Sequence, residues 1–91
     1  MDSKSLQEKP LWFDIESIDE TMDARAMLKS GQHPLAEVLQ RTSVMQTGKI
    51  FELITPFLPM PLIEKVMANG YYAYVQEIGI AEVHTFFCKP G

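Results

Sequence analysis

The stretch Lys49-Ile50-Phe51-Glu52-Leu53-Ile54-Thr55 constrains the fold of this chain more than any other. Its β-branched and aromatic residues favour a pleated strand. Ile50 and Ile54 flank Glu52 on one face, while Phe51 and Leu53 lie on the other. A strand apolar on both faces belongs inside a sheet, with cover above and below. Gly48 marks its start, and Pro56, Pro59 and Pro61 stop it, because proline has no N–H to give a ladder.

Two helical patterns flank that strand. After Gly31-Gln32-His33-Pro34, apolar residues recur at 35, 38, 39 and 45 with Thr42 in phase, which predicts a helix running to about Met45. Pro34 suits the first helical position, where its missing N–H costs nothing, and His33 then falls at the N-cap. The second helix runs from Met60 or Pro61 to Asn69. Leu62, Ile63, Val66 and Met67 lie on one side, Glu64 and Lys65 on the other, and Asn69-Gly70 suits a left-handed C-cap. Two later runs, residues 71–78 and 82–89, are joined by a turn around Gly79 and read as a β-hairpin.

At the front, residues 1–10 are polar, end in Pro10 and read as a flexible lead-in. Residues 11–18 alternate in part like a short strand and are equally consistent with a loosely packed arm. Thr21-Met22-Asp23-Ala24 is the first true strand. Residues 1–19 are therefore the lead-in and arm, and residues 20–91 a single domain. The order β-α-β-α-β-β predicts a two-layer α+β sandwich, a four-stranded mixed sheet with two helices on one face. The last strand turns Val83, Thr85 and Phe87 one way and Glu82, His84, Phe86 and Cys88 the other. Apolar area is left on the open face, to be covered by residues 11–18 or by a second copy in a homodimer.

Composition excludes several function classes. A chain of 91 residues buries only about 60 to 65% of its unfolded surface, so a site is expected in a surface cleft or at an interface. There are 8 Lys+Arg against 12 Asp+Glu, and the acidity is concentrated in residues 1–30. Without a Lys/Arg cluster there is no electrostatic footprint for nucleic acid. No stretch approaches the ~18 apolar residues of a membrane span, and the N-terminus lacks the apolar run of a secretory signal. With the single Cys88, this points to a cytoplasmic protein without a disulfide framework.

Met22-Asp23-Ala24-Arg25, Gly31-Gln32-His33-Pro34-Leu35, Gly48-Lys49-Ile50-Phe51-Glu52-Leu53-Ile54 and the Asn69-Gly70-Tyr71 helix ending together resemble the TusA/SirA-like sulfur-carrier superfamily. The resemblance spans roughly residues 20–90 and is greatest to a branch of domains of unknown function with Gly-x-His-Pro. It implies a sheet order of 1-2-4-3 with the last strand antiparallel. Sulfur carriers hold their persulfide on the cysteine of a Cys-Pro at the start of the first helix. Here that dipeptide is His33-Pro34, and an imidazole cannot hold a sulfane sulfur. Cys88 matches no motif of the family.

His33 is nonetheless the leading candidate. A right-handed β-α-β crossover makes the first two strands parallel, which sends both strand-to-helix loops to one sheet edge. His33 should then neighbour Thr55-Pro56-Phe57-Leu58-Pro59-Met60-Pro61. Two helix starts at that edge attract an anion and leave the imidazole to accept a hydrogen bond or bind a metal. The alternative is that His33 merely caps the helix and packs on Phe57. Phe57 and Met60 supply a stiff apolar rim fit for a cleft, or else close the end of the core. Met60 with His33 would make a soft metal or haem pair, though two ligands leave half a zinc site empty. Asp23 and Arg25 leave the first strand at the same edge. They either orient His33 and bind an anion, or form a surface pair of little worth.

His84 and Cys88, about 13 Å apart along a strand, are too distant to share a metal and read as solvent-facing. Tyr71, Tyr72, Tyr74, Phe86 and Phe87 read as packing residues rather than a base-stacking platform. No phosphate-loop, zinc or nucleophile motif is present. The expected function is a small non-catalytic module binding a partner protein or a small anionic or metal-linked ligand through His33, Pro34, Asp23, Arg25, Phe57 and Met60. The family likeness adds a metabolic or redox context but no identified cofactor. Two further readings are a degenerate sulfur-transfer accessory and a metal- or haem-binding redox protein using His33.

Overall fold

The computed structural model describes residues 6–91, so the first five residues of the expected lead-in lie outside the described residues. A short 3-10 turn, Ile15–Ser17, leads into β1 (Ile18–Asp23), followed by α1 (Arg25–Lys29) and α2 (Leu35–Ser43). Next come β2 (Ile50–Thr55), α3 (Met60–Ala68), β3 (Tyr72–Gly79) and β4 (Glu82–Cys88). This is an α+β domain on an open, mixed four-stranded sheet of order β1-β2-β4-β3. β1 runs parallel to β2, and β4 runs antiparallel to both β2 and β3.

Three boundaries differ from expectation, each for a local reason. β1 begins at Ile18 rather than Thr21, because a bulge between Ile18 and Glu20 breaks the alternation that marks a strand. The bulge also turns Ile18 and Met22 to opposite sheet faces, where each joins a different apolar cluster. Second, residues 25–29 form a helix, making three helices instead of two. At five residues α1 is too short for a helical stripe to show, yet it still lays Met27 and Leu28 on the core. Third, Pro34 occupies the N-cap of α2, and its carbonyl accepts the first helical bond from Val38 at 2.9 Å. His33 therefore precedes the cap and is exposed.

The remaining elements follow the pattern. Asn69 closes α3, and Gly70 beyond it takes φ +97°, a left-handed conformation that a side chain would disfavour. β2 lies between β1 and β4, as a strand apolar on both faces requires. Its Phe51 and Leu53 meet Phe87 and Thr85 of β4 on the helix side. There Val38, Ile63 and Val66 complete a core in which most side chains are fully buried. On the other side Ile50, Tyr74, Phe86 and Cys88 form a second cluster, covered by Trp12, Phe13 and Ile18. The ring of Phe13 stands edge-on to Tyr74 and Phe86, with centroids 4.9 and 4.7 Å away. Trp12 and Phe13 of the 11–18 segment thus form an arm over this end of the open face, whereas Ile18, at its end, already belongs to β1. Cys88, expected in solvent, is buried.

Candidate functional site

The parallel pairing of β1 and β2 sends the chain beyond both strands to one edge of the sheet. A cleft of about 260 Å³ opens there. Leu28 of α1 forms one wall, with His33, Pro34 and Leu35 leading into α2. Thr55, Phe57 and Pro59 form the opposite wall, and Pro61, Leu62 and Lys65 of α3 close it. Thr55 is fully buried and donates its hydroxyl to the carbonyl of Phe57 at 2.6 Å, folding the loop back on the end of β2. The prolines then hold that fold by fixing φ. Phe57 stays 55% exposed, a large ring at the mouth of the cleft rather than a part of the core.

The six residues singled out in the sequence do not all meet. His33, Pro34 and Phe57 share the cleft, whereas Met60 is half-buried against the core and is not part of the cleft wall. Asp23 and Arg25 belong to a different site. Arg25 donates from Nη2 and Nε to the Asp23 carboxylate at 2.8 and 3.0 Å, and its backbone N–H donates to the same group at 3.1 Å. Those bonds from Arg25 hold the Asp23 carboxyl below its ordinary range. Both side chains are more than a third exposed, so this is the surface-pair alternative, and no hydrogen bond joins Asp23 to His33. Among the described residues no three His, Cys, Asp or Glu side chains are placed to hold a metal ion.

The residues beside Asp23 and Arg25 carry a cluster that the sequence did not reveal. On the open sheet face the His84 ring lies between two carboxylates, Nδ1 at 2.6 Å from Glu52 and Nε2 at 2.8 Å from Glu82. Thr21 donates its hydroxyl to the other oxygen of Glu52 at 2.9 Å, and Arg25 approaches Glu82 at 3.9 Å. His84 and Glu52 are only about one-sixth exposed, so His84 is not the solvent-facing residue expected. Burial works against its protonation, yet the hydrogen bonds to Glu52 and Glu82 outweigh that and raise its pKa. The missing signal was strand register. Alternation alone put Glu82 and His84 on one face, but only the β2–β4 pairing, with Ile54 opposite His84, brings Glu52 beside them. Lys65 and Leu28 of the cleft were missed because their placement depends on how α3 and α1 pack.

In this open-face cluster both nitrogens of the imidazole are engaged by carboxylates. The cleft at the other site has room for a ligand and an exposed imidazole at its wall. Comparison with protein-family models, with curated proteins and with solved structures finds no match to this chain.

Proposed function

We propose that this chain is a small non-catalytic binding module that takes a small ligand with an apolar body into the His33 cleft. The observation that carries the reading is the cleft itself, in which three separate elements surround about 260 Å³ of apolar-walled space beside a single imidazole. Apolar walls with few polar groups are the usual composition of a ligand site. Two features of the same groups favour binding without turnover. The Thr55 hydroxyl is committed to the Phe57 carbonyl, and among the described residues no carboxylate lines the cleft to turn His33 into an oriented base.

We also propose that the module belongs with the TusA/SirA-like domains and works in a metabolic or redox setting. The strand order β1-β2-β4-β3 and the His33-Pro34 step into α2 support that reading. With His33 where carriers have cysteine, the module binds rather than carries sulfur at this position.

Benzamide, a neutral probe of suitable size, tests the site. In a two-dimensional NMR titration, saturable shifts are expected at Leu28, His33, Thr55, Phe57 and Leu62. Phe57→Ala should weaken them several-fold, because it removes the exposed ring at the mouth. Shifts centred on the open sheet face instead would refute the cleft as the site.

A further inference from the structure

Among the described residues, Lys65 is the one formally charged side chain in the wall of the cleft, and no carboxylate lines it. Lys65 makes no ion pair among the described residues, in contrast to Arg25 and Arg41. α2 starts at the cleft with no side-chain cap, so the N–H groups of its first turn add positive potential at the same place. The walls are apolar and carry rigid rings, those of Pro34, Pro59, Pro61 and Phe57. At about 260 Å³ the cleft lies below the roughly 300–1,000 Å³ of pockets for drug-sized ligands, which suits a single-ring ligand.

Resting on the binding-module reading, we propose that the cleft selects a small aromatic monocarboxylate, with Lys65 as its charge partner. The planar body stacks between the prolines and Phe57, and the carboxylate sits at the rim by Lys65 and His33. A rigid ring of this size has few rotamers to lose, which suits a shallow site on a small domain. The charge on Lys65 then decides among ligands of equal shape, since an ionic hydrogen bond beside apolar walls is stronger than a neutral one.

Benzoate, benzamide and benzamidinium share one shape and differ in charge, so together they separate recognition of an anion from binding as such. Titrated by NMR at low ionic strength, benzoate should bind about tenfold tighter than benzamide, with benzamidinium weakest. Lys65→Gln should remove the preference, bringing the affinities for benzoate and benzamide together, whereas Lys65→Arg should keep it. Lys65 is exposed, so neither variant threatens the fold. Equal binding of benzoate and benzamide at the cleft would overturn the carboxylate assignment while the binding reading stood. No cleft shifts with any of the three would overturn both.

Discussion

A carboxylate meets each ring nitrogen of the mostly buried His84, which favours its protonated form. Its pKa in the folded protein is raised, while in the unfolded chain the imidazole titrates near about 6.5. The stability contributed by this cluster is therefore complete below that pH and is lost as pH rises through the higher folded value. Urea unfolding should show stability falling as pH rises above about 6.5, and His84→Gln should flatten that slope. Asp23 has the opposite sign. Its lowered pKa gives a contribution present above the ordinary carboxylate range and lost in acid, kept small by exposure. On the helix side of β4, the fully buried hydroxyl of Thr85 has no hydrogen-bond partner among the described residues. Thr85→Val keeps the shape and removes the stranded polar group, so thermal unfolding should show a gain of about 1 kcal/mol. A loss would mean that the hydroxyl has a partner. Facing of these residues was legible from alternation, but their neighbours were not, because neighbours come from register.

The arm shows what an element contributes when it belongs to neither layer. Trp12 stacks on Tyr72, while Phe13 packs edge-on to Tyr74 and Phe86. Beneath them Cys88 is buried, and that burial raises its thiol pKa. Phe13→Ala should cost about 2 kcal/mol, less than a fully buried aromatic because Phe13 is half-buried. The same change should speed labelling of Cys88 by a thiol reagent, since both water and reagent reach the sulfur. Unchanged labelling would show that the arm does not control access. Both long helices, β2 and the closing hairpin could be read from periodicity and from their proline and glycine borders. The arm left open whether it paired or packed, α1 was too short to show, and the bulge masked the first half of β1.

For the molecule as a whole, two clusters of unequal depth share one sheet. A domain of 91 residues has roughly 5 to 14 kcal/mol of stability. Phe87→Ala, in the fully buried helix-side core, should remove about 3 to 5 kcal/mol of that. Hydrogen exchange should rank the backbone accordingly. Amides of β2 and β4, each paired on both sides, should exchange only on global unfolding, and those of residues 11–17 should open well before. Arm amides as slow as those of β2 would mean that the domain unfolds as one unit.

The cleft takes its walls from segments that leave β1 and β2 at one edge, while the deepest packing lies further back, around Phe51, Leu53 and Phe87. Substitutions at Phe57, Pro61 or Lys65 therefore meet little resistance from folding. In evolutionary terms, descendants of this chain are free to change what they bind by altering a few rim residues while inheriting the same scaffold.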